Sequence, residues 1–257
     1  MIRLWSYAAR GAIAVIWAVI CFIGLAQAAA ACDEITYQER SYTVCRADVG
    51  DDLRLFWGDG AEAYGTFSNV NAALTAEGKT LRFAMNAGMF HNDLRPVGYY
   101  LERGIERMRI VATAGPGNFG MLPNGVFCIG AQRFDVIETL RFVDQAPPCL
   151  YASQSGPMLV IDGALHPRFL KDSTSRFYRN GVGTDASGQV AYFVISNRVV
   201  TFYEFGSFFK DVLNVPSALF FDGNVSRLFA PRIGRADFGR LIGPMVGVVE
   251  DTQPATQ

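Results

Sequence analysis

A carboxylate, a guanidinium, a carboxamide and a hydroxyl recur in this 257-residue chain in one setting. Each stands beside a glycine where an apolar, strand-like run ends: Asn86-Ala87-Gly88-Met89-Phe90, Ser155-Gly156-Pro157, Arg179-Asn180-Gly181-Val182-Gly183 and Phe221-Asp222-Gly223-Asn224. Glycine lets the backbone turn or lets another group come close. One such element is an ordinary turn. Four of them, each displaying a polar side chain, predict strand ends that converge on a polar pocket.

The residue types define the chemistry open to such a pocket. Asp222, delivered by the apolar run Ser217-Ala218-Leu219-Phe220-Phe221, can act as nucleophile or general base; the plain alternative is an Asp-Gly turn. Arg179 can clamp a phosphate or carboxylate in bidentate fashion, with Gly181 and Gly183 exposing N–H groups as an anion nest. Its alternative is membership of a surface basic cluster with Arg168, Lys171 and Arg176. Gly181-x-Gly183 lacks the third glycine and the following helix of a dinucleotide fingerprint. Asn86 either caps a turn or binds a sugar hydroxyl or phosphate oxygen. His91 and His166 are each a lone histidine or a proton donor. Ser155 is not a nucleophile elbow, because Ser153 and Pro157 occupy the flanking glycine positions; it reads as a hydrogen-bonding group at a tight corner. No metal-ligand spacing stands out, so neither a metal nor another cofactor is expected.

The elements that must hold these residues are mostly strands. Strand patterns cover 35–46, 53–57, 80–85, 190–196 and 217–221, and hairpins are predicted across Arg103-Gly104 and Gly130. Runs 149–154 and 158–161 flank the Ser155-Gly156-Pro157 corner. Helical spacing appears over 68–76, with Ser68 as cap, and over 202–213. The tail after Gly247 reads as polar and frayed. The predicted fold is α+β or mixed α/β: a single domain with a mainly antiparallel or mixed sheet and a few helices.

The N-terminus has the layout of a secretory signal: Arg3 and Arg10, an apolar run from Ala12 to Leu25, then small residues at Ala26-Gln27-Ala28. The expected mature domain is 29–257, periplasmic or secreted, with no stable membrane span. Removal of 1–28 takes two of the 23 basic residues and none of the 24 acidic ones, leaving a net charge of about −3. Such a chain is not a non-specific nucleic-acid binder. Four cysteines remain, and the shortest loops pair Cys32 with Cys45 and Cys128 with Cys149.

The motifs, in this order from Leu81 to Pro231, resemble the phosphodiester glycosidase family. Asn86 to Phe90 resembles its Asn-Gly/Ala-Gly-hydrophobic-aromatic segment. Ser155-Gly156-Pro157-Met158-Leu159 resembles its small-Gly-Pro-x-Leu corner, Arg179 with Val182-Gly183 its Arg-x-x-hydrophobic-Gly element, and Asp222-Gly223 with Ser226 its Asp-Gly-x-x-Ser segment. The resemblance implies hydrolysis of the anomeric bond of sugar-1-phosphodiesters, with envelope or extracellular glycans as substrates. It implies Asp222, Arg179, Asn86 and His91 as catalytic residues, Arg179 on the phosphate. Gly88, Ser155, Gly156, Gly183, Gly223 and Ser226 would line the substrate site. Glu204 and Asp185 are candidates for a second carboxylate. The alternative is a non-catalytic carbohydrate- or envelope-binding domain on the same fold.

Overall fold

The computed structural model describes residues 32–252 apart from positions 59, 61 and 224. The expected leader, residues 1–28, lies outside them. The stretch 35–46, predicted as one strand, folds back on itself. Gln38 and Glu39 both take positive φ, 46° and 62°, as a two-residue hairpin turn requires. No glycine marks that turn, so the pattern reads through it. The result is β1 (Cys32–Tyr37) paired antiparallel with β2 (Arg40–Asp48), with Cys32 opposite Cys45 and bonded to it. Cys128 is bonded to Cys149, as the loop lengths predicted.

Beside that hairpin lie β13 (Val190–Ser196), β12 (Asn180–Thr184), β14 (Ser217–Asp222), β10 (Met158–Ile161) and β11 (Ala164–Leu165), completing a seven-stranded sheet. A five-stranded sheet orders β16 (Arg235–Ala236), β15 (Leu228–Ala230), β4 (Lys79–Asn86), β17 (Met245–Asp251) and β3 (Asp52–Phe56). A third, also of five strands, orders β6 (Ile105–Met108), β5 (Tyr100–Glu102), β9 (Tyr151–Ser155), β7 (Gly125–Ile129) and β8 (Phe134–Glu138). Every pairing between these strands is antiparallel. The single domain is thus mostly β, with three sheets rather than the one predicted.

One apolar core joins them. Phe193 and Phe221 of the first sheet, Phe83 and Val246 of the second, and Tyr100 and Phe127 of the third belong to the same buried cluster. Each sheet turns its other face to a helix. Phe67, Val70 and Leu74 of α1 (Phe67–Thr75) pack under the second sheet, and Phe142 of α2 (Thr139–Gln145) under the third. Phe205 of α3 (Phe202–Ser207) packs under the first.

Three further readings need correction. The cap of α1 is Thr66, whose hydroxyl accepts the Asn69 N–H at 3.2 Å, and not Ser68. The helix predicted to Leu213 gives way after Ser207 to a π-helical turn, Phe208–Val212, that buries both Phe208 and Phe209. The chain after Gly247 is not frayed as far as Asp251: Val248 to Asp251 continue β17 against β4, and Gly247 lies inside that strand, where a Cβ would come within 2.7 Å of the Phe83 carbonyl. The close strand approach requires glycine.

Candidate functional site

The four motifs do converge. Asn86 ends β4, Ser155 ends β9 and Asp222 ends β14, so each sheet sends one strand end to the same region. Asn180 opens β12 and is the register partner of Asp222. Hydrogen bonds stitch the three sheets together here. Asn180 Nδ2 donates to the Asn86 carbonyl at 2.7 Å, and Asn86 Nδ2 donates to Asn180 Oδ1 at 3.2 Å. Asn86 Oδ1 accepts the Arg227 N–H at 3.0 Å. Ser155 donates to the Phe221 carbonyl at 3.0 Å, and Ser153 to the Ala87 carbonyl at 2.7 Å. Ser226 Oγ sits 2.7 Å from the Asp222 carbonyl and closes the turn behind it.

These bonds decide what Asn86 and Ser155 do. Both are fully buried, and their polar atoms are committed to the frame. Asn86 ties β4 to β12 and to Arg227, and Ser155 ties β9 to the Phe221 carbonyl just before Asp222. Asn180, quoted in the sequence only as part of the Arg179 motif, is the missed member of this set. Gly156 is likewise a packing position, since a Cβ would meet Asn124 Cβ at 2.5 Å. At Gly88 a Cβ would meet Ser153 Oγ at 3.0 Å. Gly181 and Gly183 do not form an anion nest. They lie inside β12, flanked on both sides by β13 and β14, so their backbone groups serve the ladders. A Cβ on Gly183 would approach Phe209 and Val215 to 2.9 Å.

Arg179 lies under Gly223, the residue after Asp222, but not as an exposed clamp. Arg179 is 1 % exposed, not part of a surface cluster. Its guanidinium carbon sits 3.7 Å from the centre of the Phe202 ring, with Phe177 and Phe220 each at 5.4 Å. Nε donates to the Val200 carbonyl at 2.9 Å and Nη2 to the Ser175 carbonyl at 3.2 Å. Nη1 is buried and has no hydrogen-bond partner among the described residues. It lies beneath Gly223, 3.5 Å from where a Cβ would stand. Burial lowers the Arg179 pKa to about 10, with Glu204 opposing the shift. A fixed positive charge therefore sits directly under the Asp222-Gly223 turn.

Asp222 itself, 8 % exposed, lines an open cavity of about 700 Å³. His91 and Asp93 stand on one wall, Asn118 and Phe119 on another, and Arg240 and Leu241 on a third. His91 opens a tight loop: it donates its N–H to the Arg95 carbonyl at 2.8 Å and accepts from Leu94, whose φ is 67°. Asp93 is held by Arg95 at 2.7 Å, which keeps its pKa below the usual carboxylate range. The glycine-rich segment 115–120 carries Asn118 and was not singled out in the sequence. Its Phe119 packs on Gly98, where a Cβ would meet the ring at 2.6 Å.

The two candidate second carboxylates are elsewhere. Glu204 pairs with Arg40 at 2.7 Å and with Arg176 at 2.8 Å, and completes the capping box of α3. Asp185 accepts from Ser187 and from the Val190 N–H in the β12–β13 turn. Asp93 is the carboxylate that shares the cavity with Asp222.

His166 is buried and structural. Nδ1 accepts the Arg168 N–H at 3.2 Å, so Nε2 carries the proton and donates to the Leu122 carbonyl at 3.2 Å. Burial lowers its pKa below 6.5, ahead of the opposing hydrogen bond to Leu122. The unfolded chain therefore binds this proton more tightly than the folded one. His166 contributes stability above pH 6.5 that is lost as pH falls toward its lower folded pKa. Replacing it with Gln should flatten the decline in urea midpoint between pH 7 and pH 5, a window set by the depressed histidine pKa.

Three comparisons bear on this arrangement. The sequence profile described as phosphodiester glycosidase matches residues 79–249, a span holding all four motifs. The uncharacterized protein YigE of Escherichia coli K12 is 30% identical over 205 residues, covering 78% of this chain and 80% of YigE. Among solved structures, the catalytic domain of zebrafish N-acetylglucosamine-1-phosphodiester alpha-N-acetylglucosaminidase, auto-inhibited by its pro-peptide, superposes with a TM-score of 0.58. That match is 15% identical and covers 84% of this chain and 81% of the other, a likeness of fold.

Proposed function

Given that this chain belongs to the phosphodiester glycosidase family, we propose that it hydrolyses sugar-1-phosphodiesters at the anomeric carbon. The observation that supports this reading is that Asp222 lines the cavity while the Arg179 guanidinium lies buried under the adjoining Gly223. A cavity of about 700 Å³ is of the size that takes a small polar ligand such as a phosphorylated sugar.

In the reaction the bond from the anomeric carbon to the phosphate oxygen breaks. The phosphate leaves with the electron pair, as a monoester of the aglycone, and water supplies the new hydroxyl. Phosphate is a good leaving group, so charge compensation matters more than acid catalysis. Asp222 stabilises the oxocarbenium-like transition state and takes the proton of the attacking water, or attacks the carbon itself. Arg240 and His91, which also line the cavity, contact the departing phosphate. Arg179 acts through Gly223: its field sits under the turn while its other donors are spent on carbonyls. Asn86, Ser155 and Ser226 position Asp222 without touching substrate.

Export is part of the proposal. Two disulfides suit an oxidising compartment, and envelope or extracellular glycans are then the accessible source of substrate. Purified protein should release free sugar from a sugar-1-phosphodiester. In ¹⁸O-labelled water the label should appear in the sugar. Label in the phosphate would mean P–O cleavage instead. No turnover across a panel of such diesters, with measurable glycan binding, would mark a binding domain.

A further inference from the structure

The cavity wall that carries Arg240 and Leu241 rises to an apolar tip. Phe238 is 95 % exposed and Leu241 is 56 % exposed, and Gly239 between them takes a φ of 138°. The tip stands on a braced loop. Ile242 is buried and donates its N–H to the Gly65 carbonyl at 2.9 Å. Asp237 accepts the Leu228 N–H at 2.9 Å and pairs with Arg235 at 3.0 Å. Arg227 donates from Nη1 to the Arg240 carbonyl. The Arg227 pKa is lowered, first by burial, with the Asp237 carboxylate opposing and the charge of Arg240 adding to the shift, so Arg227 and Arg240 stand close together at the base of the tip.

An exposed ring at the mouth of a sugar-phosphate site has two uses. As a platform for stacking a sugar it must be held flat by its neighbours. Phe238 leaves nearly its whole surface to water, so nothing holds it. Leu241 beside it offers no stacking face. An apolar tip with guanidiniums just below suits a different surface, one with anionic headgroups over hydrocarbon. There the side chains enter the acyl region and the arginines meet phosphates at headgroup depth. The mature chain has a net charge of about −3, so any attraction to such a surface comes from this local pair.

We propose that Phe238, Gly239, Arg240 and Leu241 form a docking tip that seats the cavity mouth on an anionic lipid surface, so that the phosphodiester entering the site carries a lipid aglycone. The second clause rests on the function proposed above. A phosphodiester anchored in a bilayer lies at headgroup depth, where a tip inserted beside the cavity brings Asp222.

The test uses the chain from Ala29 onward, which keeps all three sheets and both disulfides and omits the apolar N-terminal run. Wild type should co-sediment with vesicles containing phosphatidylglycerol more strongly than with phosphatidylcholine alone, and high salt should weaken the association. Phe238→Ser should bind the anionic vesicles roughly tenfold more weakly, from the loss of one buried ring. It should hydrolyse a water-soluble sugar-1-phosphodiester at the wild-type rate, while losing turnover of the same sugar phosphate on a long alkyl chain embedded in vesicles. The proposal is overturned if wild type ignores anionic vesicles, or if Phe238→Ser binds them equally well. It also fails if the variant loses the soluble substrate to the same extent, the mark of a sugar platform. A Phe238-dependent dimer in solution, with no lipid binding, would assign the tip to a second copy of the chain. Phe238-dependent vesicle binding without any diester hydrolysis would sustain the docking tip and overturn the reaction.

Discussion

Replacing Asp222 with Asn should lower kcat on a sugar-1-phosphodiester by about 10²–10⁴-fold, the range for removing a base or nucleophile from a positioned site. The substitution keeps the shape of the side chain and removes its charge. The surrounding frame is built from other groups: the Asp222 carbonyl on Ser226, the Phe221 carbonyl on Ser155, and the paired Asn86 and Asn180. The variant should therefore melt within about 3 °C of wild type, a change of about 1 kcal/mol in a domain of this size. Steady-state kinetics and a thermal scan on one preparation check both halves. Equal activity in the variant would remove Asp222 from the chemistry and leave it a turn residue. Lost activity with a large fall in melting temperature would make it structural.

Arg179→Met separates charge from packing at the other half of the pair. The guanidinium is buried against three phenyl rings, and among the described residues its salt bridges are nil; Glu204 acts on it only through its field. Its pKa, lowered to about 10, records the cost of holding the charge there. Methionine fills similar apolar space and abolishes that cost, but it removes the Arg179 donor from the Ser175 carbonyl and leaves the Val200 carbonyl with the Phe177 N–H alone. The opposing effects should leave stability within about 2 kcal/mol of wild type by urea unfolding. Activity should fall about 10²-fold, mostly in kcat, because the field under Gly223 acts on the transition state. Arg179→Lys, which keeps the charge, should recover part of kcat. Full activity in Arg179→Met would show that the arginine only fills its cage.

The linear pattern was informative wherever a signal is local. Apolar runs ending beside a glycine located β4, β9 and β14 and the polar residues they deliver; β12, read as an exposed glycine nest, was missed. The short cysteine separations gave both disulfides. Local reading failed where the deciding contact is remote. The stretch after Gly247 looked like a frayed tail because its pairing partner, β4, lies far away along the chain. Glu204, a candidate second carboxylate, is held instead by Arg40 and Arg176.

By itself, then, the sequence determined the antiparallel strands, the covalent staples, the residue types gathered at the strand ends and the kinship that suggests their chemistry. The tertiary structure alone decided which of them line the cavity. Asn86 and Asn180, 94 residues apart, satisfy each other, and Arg179 is closed in by phenyl rings from three segments. Asp222 and Arg240 are left at the opening. Hydrogen-bond partners and burial depend on how three sheets pack around one core, and no window along the chain contains that information.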